Sequence, residues 1–488
     1  MLSRSFMTPD ESKTMLAYSP MLHARLFRES AKFRDSHFEP TRSSLVSHAK
    51  SPGAPWLDGN PKVDRPLFVQ FCANDPEDLL DAASYVAPYC DAVDLNLGCP
   101  QGIARTGHYG AFLQEDWTLI RELIRKLHES LPVPVTAKIR VLESKERTLD
   151  YAKMVLEAGA SILTVHGRRR EQKGQNMGLA DWTCIRYLRD NLPPETVIFA
   201  NGNILSRRDL QACLDATGAD AVMSAEGNLS DPSIFAKPPP LGCELREYWR
   251  GAEGQDGYRL DAVIRRYYDI IYRYILEQDP PQRRPLFIPT GSSEPGEQSD
   301  FLKRSDFSRV EPPKIRLKRE RQALKASPSL KCMQGHLFQL LRPMLSIHTE
   351  IRDTLAICRV GDMAAFERLL GMIEVAIKEA LIQQNIPTQH SISTVSEAPD
   401  RTLATISSTS GEPSTNYRRP WWICQPYIRP SPEEAKMTGA LTASKRGTAQ
   451  LKQSNHVVDN IKEPLTAPIQ SSISLNQSEL PQGGLVCG

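Results

Sequence analysis

Short apolar runs alternate with amphipathic segments from residue 14 to about residue 245. The runs are continuously apolar, which is typical of strands buried on both faces of a parallel sheet. Seven are present: Met15–Ser19, Leu67–Cys72, Ala92–Leu97, Val135–Ile139, Ile162–Val165, Val197–Ala200 and Ala221–Ser224. Strand–helix repetition over this length predicts an α/β fold, a (β/α)8 barrel of the TIM type, rather than an open doubly wound sheet.

Helix start and stop signals separate these runs. Asp75 is a candidate N-cap before Pro76, and Ser206 with Asp209 forms a candidate capping box. Gly218 stands where the following helix should end. Because only seven strands are found, we expect the barrel to lack its first βα unit ahead of Met15, which would leave two strand edges unpaired.

The chain changes character beyond Cys243. Helical patterns cover Tyr258–Leu276, Gly335–Ile357 and Ala364–Gln383. We therefore predict a barrel domain over residues 1–245 and a small helical domain over 246–384. Residues 278–313 are rich in Pro, Ser, Gly and charge, and predict a disordered insertion. Residues 385–488 predict a disordered tail, which only Trp421-Trp422-Ile423-Cys424 interrupts.

Composition narrows the class of protein. The net charge of +2 means that a nucleic-acid partner would have to be held by a local basic face. The 10 cysteines form no CxxC pair, which favours free thiols in a reducing compartment and predicts no metal site. No apolar run is long enough for a membrane span. We expect an intracellular monomer, cytoplasmic or nuclear.

Large hydrogen-bonding side chains stand at the ends of the predicted strands. Barrel chemistry gathers at the carboxyl ends of the strands, and polar groups buried there need partners, so the set predicts a ligand site. Its members are Gln70, Asn96, Lys138, Arg140, His166, Asn201, Asn203 and Glu226.

Individual members of this set also have structural explanations. Lys138 could be a strand-end lysine that reaches solvent, or a buried cation that suits an anionic ring or a Schiff base. His166 could be a core histidine. The segments Asn201-Gly202-Asn203 and Ala225-Glu226-Gly227 occupy the positions where barrels bind phosphate through backbone N–H groups.

Cys99 lies in a tight turn between Gly98 and Pro100. We expect this thiol to be exposed to the barrel mouth, unlike Cys72 and Cys213, which fit core or helix packing. No histidine adjoins it in the sequence, so a thiolate pair is not indicated. The thiol could instead act as an acid that protonates a carbanion-like centre.

These motifs together resemble the tRNA-dihydrouridine synthase family, most closely the eukaryotic class that acts on positions 16 and 17 of the D-loop. The likeness covers roughly residues 14–245. It rests on LFVQFCAND at Leu67–Asp75, DLNLGCPQ at Asp94–Gln101, RTGHYGAFL at Arg105–Leu113, TAKIR at Thr136–Arg140, TVHGR at Thr164–Arg168, ANGN at Ala200–Asn203 and SAEGN at Ser224–Asn228.

The resemblance implies an FMN-containing barrel with a helical RNA-binding domain. NADPH or NADH would reduce the flavin, hydride would pass to C6 of a flipped-out uracil, and a cysteine, here Cys99, would protonate C5. The implied cofactor contacts are Gln70, Asn96, Lys138 and His166 at the ring and ribityl chain. Those at the FMN phosphate are Asn201, Gly202, Asn203, Ala225, Glu226 and Gly227.

Basic side chains near the mouth are candidates for the tRNA contact. Arg105, Arg140 and Arg168 are the expected substrate-binding residues, and Arg169, Arg170 and Lys173 adjoin them. A further run from Lys314 to Lys325 could contact RNA or be a solvated face. No GxGxxG motif is present, so the nicotinamide is expected to visit the flavin transiently.

The chain departs from the family at its start. Relatives begin with a strand that carries Ala-Pro-Met against the flavin, and Met1–Lys13 stands in its place. Two other readings therefore remain: a catalytically impaired module that binds tRNA, and a Schiff-base barrel enzyme that uses Lys138.

Overall fold

The structure is a computed structural model that describes residues 1–41, 55–251, 256–289, 327–385 and 419–427. Its main sheet is parallel and curls around an interior. The strands are β1 Ala17–Tyr18, β2 Leu22–His23, β3 Leu67–Cys72, β4 Ala92–Leu97, β5 Val135–Arg140, β6 Ile162–His166, β7 Val197–Asn201 and β8 Ala221–Met223. They run in the order β1-β3-β4-β5-β6-β7-β8. The short strand β2 pairs with the same edge of β3 as β1 does, further along β3. All seven strand positions predicted from the apolar runs are confirmed, as is the barrel-type fold.

Helices connect the strands. They are α1 Pro9–Thr14, α2 Ala24–Glu29, α3 Ala31–Asp35, α4 Pro76–Val86, α5 Gly102–Thr106, α6 Trp117–Ser130, α7 Lys145–Glu157, α8 Trp182–Asn191, α9 Arg207–Thr217 and α10 Glu226–Ser230. Of these, α4 and α6 to α9 pack side by side along the sheet. The expected caps are present: Asp75 accepts from the N–H groups of Glu77 and Asp78, and Ser206 with Asp209 forms a capping box. Gly218 ends α9 in the left-handed conformation.

The sheet separates apolar and polar side chains by alternation along each strand. All residues of β3, β4 and β5 are buried, so the outward-facing ones pack against helices. The inward-facing ones include Gln70, Asp94, Asn96, Thr136 and Lys138, and hydrogen bonds between strands join several of them inside the barrel. The polar interior is therefore a direct product of the strand register.

The sheet is open between its first and last strands. Among the described residues, no strand pairs with both β1 and β8. Residues 1–16 form a short 3-10 helix, Ser3–Phe6, followed by α1. Ser3 Oγ donates to Asn228 Oδ1 beyond β8 at 2.9 Å, and Arg4 donates to the carbonyl of Pro66 before β3 at 2.8 Å. These two residues connect the two sides of the opening.

A second hydrophobic core lies beyond the barrel. It contains the hairpin β9 Tyr248–Trp249 and β10 Gly257–Tyr258 and the helices α11 Leu260–Ile270, α12 Pro328–Leu340, α13 Arg342–Leu345, α14 Thr349–Ile357 and α15 Met363–Asn385. A π-helical turn, Ile271–Ile275, extends α11. The predicted helices are thus present, with the middle one divided into three. The domain boundaries remain a prediction.

Two described stretches differ from the expected disorder. Residues 278–289 lie against the helical domain because Arg283 forms ion pairs with Asp269 and Glu367, at 2.6 and 2.8 Å. Residues 419–427 also pack, and Trp422 is only 1% exposed. Ion pairing and aromatic burial hold these stretches in spite of their polar surroundings. Residues 290–326, 386–418 and 428–488 lie outside the described part of the chain.

Candidate functional site

The carboxyl ends of the parallel strands meet in a buried ring of polar side chains. Because neighbouring strands are in register, Asn96 stands beside Lys138, Arg140 beside His166 and His166 beside Asn201. The ring members that are buried are Gln70, Asn96, Lys138, Arg140, His166, Asn201 and Asn203. Glu226 is half-buried at the start of α10. The structure therefore brings together the residues that the sequence analysis assigned to the ligand site.

A chain of hydrogen bonds crosses the strands at this end of the barrel. Gln70 Nε2 donates to Asp94 Oδ2 at 2.8 Å, and Asn96 Nδ2 donates to Gln70 Oε1 at 2.8 Å. Thr136 Oγ1 donates to the second oxygen of Asp94 at 2.6 Å. Burial raises the pKa of the Asp94 carboxyl to about 6, against the opposing effects of these two donors and of Lys138. Asp94 is therefore a buried anion near neutral pH, held by donors on both oxygens.

Asp94 and Thr136 were not among the site residues expected from the sequence. A signal for Asp94 is nevertheless visible, because it is a carboxylate in the middle of an apolar run, where burial without donors is costly. Thr136 gives no such signal, since threonine is common in strands.

The loop that carries Cys99 is held from two sides. Asn96 Oδ1 accepts from the backbone N–H groups of Gly98 and Cys99, at 3.0 and 2.9 Å. Arg140 Nε donates to the Gly98 carbonyl at 2.6 Å. Gly110 lies against the loop with a φ of 64°, and a Cβ at that position would stand 2.9 Å from the Cys99 carbonyl oxygen. These contacts leave the loop little freedom.

The expected exposure of Cys99 is wrong. Its side chain is 1% exposed and packs in one small cluster with Cys72, Ala104 and Tyr109, and Phe112 lies over the cluster. The reason is tertiary: the segment after the loop, containing α5 and the 3-10 helix Gly110–Leu113, folds back over the thiol. Cys72 lies beside Cys99 rather than in a separate core, whereas Cys213 is buried in α9 as expected.

His166 is neutral and carries its proton on a defined nitrogen. Burial, and then the charges of Lys138, Arg140 and Arg168, hold the pKa of the imidazole well below its usual range. The Nε2 atom lies 3.2 Å from Arg168 Nη1, and a guanidinium can only donate, so Nε2 accepts and Nδ1 carries the hydrogen. Nδ1 is buried without a hydrogen-bond partner among the described residues. His166 thus presents a donor that requires an acceptor.

The segment after β7 forms a cradle of small residues. Asn201 Nδ2 donates to the Met223 carbonyl at 2.9 Å, and its Oδ1 is buried without a partner among the described residues. Gly202 has a φ of 111°, and a Cβ there would stand 2.6 Å from the Cβ of Ala180 and 3.0 Å from the His166 ring. Only glycine fits this position.

Asn203 and Gly227 complete the cradle. Asn203 has a φ of 61°, exchanges hydrogen bonds with the backbone of Ala180, and accepts from Arg168 Nη2 at 2.8 Å. Gly227 follows Ala225 and Glu226 at the start of α10, and a Cβ there would stand 2.5 Å from the Ile204 carbonyl oxygen. The structure therefore places Arg168 at the expected phosphate segments rather than at the open mouth.

Three cations surround the half-buried ring of Phe112 at the mouth. The charged groups of Arg105, Arg170 and Lys173 lie 5.9, 5.2 and 5.9 Å from the ring centroid. Arg105 is exposed, Arg170 forms an ion pair with Glu115, and Lys173 donates to the Pro100 carbonyl at 2.7 Å. Arg140, by contrast, is 3% exposed. The basic run from Lys314 to Lys325 lies outside the described residues.

The described part of the chain offers neither a cluster of metal ligands nor a membrane-spanning helix. No group of His, Cys, Asp or Glu side chains there could hold a metal ion. No described helix is long and apolar enough to cross a membrane.

Comparison with known proteins assigns the family. The dihydrouridine synthase (Dus) profile matches residues 4–248. The chain is 43% identical over 420 residues to a Saccharomyces cerevisiae protein named tRNA-dihydrouridine(16/17) synthase [NAD(P)(+)], covering 85% of this chain and 78% of that protein. It is 42% identical to the Schizosaccharomyces pombe protein of the same name, covering 85% and 82%. A Mus musculus relative, named as a (16/17) synthase-like protein, is 34% identical over 88% of this chain and 66% of its own length. The chain therefore belongs to the dihydrouridine synthase family.

Proposed function

We propose that this protein reduces uridine in tRNA to 5,6-dihydrouridine, at position 16, position 17 or both in the D-loop, with NADPH or NADH as reductant and FMN as the bound cofactor. The names of the yeast relatives support the substrate and the nicotinamide. The observation that carries the proposal is the Cys99 loop, whose backbone Asn96 and Arg140 hold at the strand ends that bear the buried polar ring.

The residues present fit a flavin nucleotide. His166 offers a buried N–H without an acceptor and Asn201 a buried carbonyl without a donor, which a ring or a polyol chain could satisfy. The charge of Lys138 acts on His166, and Lys138 stands beside Asn96, which is hydrogen-bonded to Gln70. A lysine here would stabilise an anionic reduced ring.

The opposite end of the nucleotide would lie at the glycine cradle. Gly202 and Gly227 allow these two segments to pack closely against the residues behind them, and Arg168 supplies a cation beside Asn203 that suits a phosphate. The segments Asn201-Gly202-Asn203 and Ala225-Glu226-Gly227 would then hold the phosphate, as the family resemblance implies.

The division of chemistry follows from these positions. FMN, when bound, supplies the hydride that adds to C6 of uracil. The Cys99 thiol gives its proton to C5 of the same double bond and regains a proton from solvent afterwards, so that one uridine and one NADPH with one proton yield dihydrouridine and NADP+. The contacts from Asn96 and Arg140 hold the backbone of the loop that carries the thiol, and the segment over it would have to move aside for the uracil to reach it.

The basic rim supports a tRNA substrate. Arg105, Arg170 and Lys173 around Phe112 combine cations with an aromatic face, which suits phosphates and an unstacked base next to the flipped uridine. The helical domain would supply the remaining contacts to the folded tRNA. The monomeric state and a cytoplasmic or nuclear location remain predictions.

The test uses the purified full chain. We expect a flavin absorbance spectrum, FMN after denaturation, and dihydrouridine formed in unmodified tRNA with NADPH, mapped to positions 16 and 17 by primer extension. No flavin and no product after reconstitution with FMN would overturn the proposal. Binding of tRNA without flavin would favour the impaired tRNA-binding module, and trapping of a carbonyl substrate on Lys138 by borohydride would favour the Schiff-base enzyme.

A further inference from the structure

The hydrogen-bond chain through Asp94, Gln70 and Asn96 ends on the backbone of the Cys99 loop. Its three contacts are 2.8, 2.8 and 2.9 Å long, and Asp94 and Asn96 are 0% and 2% exposed. We propose that Asp94 is a positioning residue: its carboxylate sets the direction of the Gln70 and Asn96 amides, and thereby makes Asn96 the acceptor that holds Cys99.

The argument rests on which atoms can donate. An ionised carboxylate only accepts, so Gln70 must turn its Nε2 toward Asp94. The side-chain carbonyl oxygen of Gln70 then faces Asn96, which must donate to it from Nδ2. The oxygen of Asn96 is thereby left facing the N–H groups of Gly98 and Cys99. Each amide has one donor side and one acceptor side, so a single anion determines the direction of the whole chain.

The surroundings keep the anion in its role. The second Asp94 oxygen accepts from Thr136 on β5. Lys138, which is also on β5, contributes a favourable positive charge. A neutral group at residue 94 could face Gln70 with either a donor or an acceptor, and the direction of the chain would no longer be set. Two amides stand between Asp94 and the backbone of the Cys99 loop in this hydrogen-bond chain, so the carboxylate acts through them.

The hydrogen-bond chain also affects the proposed cofactor site. Gln70 and Asn96 are both proposed flavin contacts, and their directions decide whether each presents a donor or an acceptor there. This part of the inference rests on the proposed function. The hold on the Cys99 loop does not, because the contacts are within the protein.

The test reverses the donor and acceptor directions in the hydrogen-bond chain. In Asp94→Asn, the new NH2 group can face Gln70 and force its amide to turn, which brings two NH2 groups together at Asn96. Hydrogen–deuterium exchange of the peptide that contains Gly98 and Cys99 should accelerate about tenfold or more, as expected from two weakened backbone hydrogen bonds. Alkylation of Cys99 should accelerate by a similar factor. Both are measured on the full chain, without tRNA or NADPH.

A second substitution should restore the hold. In the double variant Asp94→Asn/Asn96→Asp, the turned Gln70 amide donates to the new carboxylate at residue 96, whose other oxygen accepts from Gly98 and Cys99. Loop exchange should return from the fast rate of Asp94→Asn to within about threefold of wild type, which is a coupling that independent sites do not show. Thr136→Val is the matched control at a pH well above the Asp94 pKa, where it removes a donor to Asp94 without protonating the carboxylate or reversing any amide.

Three outcomes would overturn the inference: unchanged loop exchange in Asp94→Asn, a double variant no better than Asp94→Asn, or Thr136→Val as disruptive as Asp94→Asn. If Asp94→Asn does not fold, the double variant should recover folded protein, and failure of that recovery also overturns it. If the wild-type protein forms no dihydrouridine, that result would count against the proposed function and not against the positioning role of Asp94.

Discussion

Arg140 Nε donates to the carbonyl oxygen of Gly98 at 2.6 Å, so a strand of the barrel holds the residue that precedes the proposed proton donor. The guanidinium also donates to the Arg169 carbonyl at 3.1 Å. These two hydrogen bonds join Arg140 to the backbone of two loops, and its role in binding substrate stays a prediction. These contacts connect the Cys99 loop with the loop after β6.

Replacing Arg140 by Met should lower kcat while leaving bound FMN in place. The methionine fills a similar space but leaves the Gly98 carbonyl without its charged donor, which costs about 1–3 kcal/mol in loop positioning. Steady-state kinetics and the FMN content of the purified variant measure the two effects. Arg186→Met, which alters an exposed ion pair with Asp190, is the control. An unchanged kcat would show that Asn96 alone holds the loop.

Replacing Cys99 by Ala should leave FMN bound and nearly abolish product. The thiol is the acid for C5, and alanine keeps the backbone that Asn96 holds. Dihydrouridine is quantified by mass spectrometry of digested tRNA, and FMN by absorbance. Cys213→Ala, buried in α9, controls for the loss of a buried thiol. If flavin were lost together with activity, Cys99 would be structural.

Replacing Gly202 by Ala should weaken FMN binding by about tenfold or more. The new Cβ would meet Ala180 and the His166 ring, and alanine is strained at a φ of 111°. Titration of the apoprotein with FMN, followed by quenching of flavin fluorescence, gives the Kd. Gly335→Ala in α12 has open space and should have no effect. If both variants bind FMN with the same affinity, Gly202 does not belong to the cofactor site.

Turnover should fall as the pH drops through about 6. Burial raises the pKa of Asp94 from 3.8 to about 6, so the folded protein takes up this proton more readily than the unfolded chain. This group's stabilising contribution is present below pH 3.8 and lost as the pH rises through about 6. The carboxylate that orients Gln70 exists only above that range. Lys138 from β5 and Tyr18 from β1 are the ionisable groups that interact with it.

The pH dependence of kcat between about 5 and 8 checks this assignment. Thr136→Val should move the acidic limb upward, because the Thr136 hydrogen bond lowers the Asp94 pKa. A limb that does not move in this variant would belong to another group.

Replacing Trp422 by Ala should destabilise the helical domain by about 3–5 kcal/mol, as for other buried Trp side chains. Trp422 lies 5.3 Å from Trp249 between ring centroids, and its carbonyl accepts from the Leu260 N–H at 3.0 Å. Urea unfolding followed by circular dichroism measures the loss. Leu245→Ala, at a side chain that is 80% exposed, should be neutral. Equal stability in the two variants would show that residues 419–427 do not support the domain.

The strands and caps were determined by the sequence alone. Continuous apolar runs gave the six residues of β3 and of β4 with their observed bounds, because burial on both faces leaves a local pattern. Asp75 and Ser206 were found as caps because an N-cap bonds within its own first turn. The polar strand ends were visible for the same reason, since each interrupts an apolar run.

Only the tertiary structure decided which of these groups meet and which are covered. Gln70, Asp94 and Thr136 come from three strands, and their hydrogen bonds depend on the register between them. Cys99 is buried because a later segment folds over it, and Trp422 because a distant hairpin receives it. Periodicity and capping are properties of neighbouring residues, whereas burial and partnership depend on segments far along the chain. The sequence therefore determined which strand ends carry polar groups, and the fold determined the hydrogen-bond partners and the burial of each group.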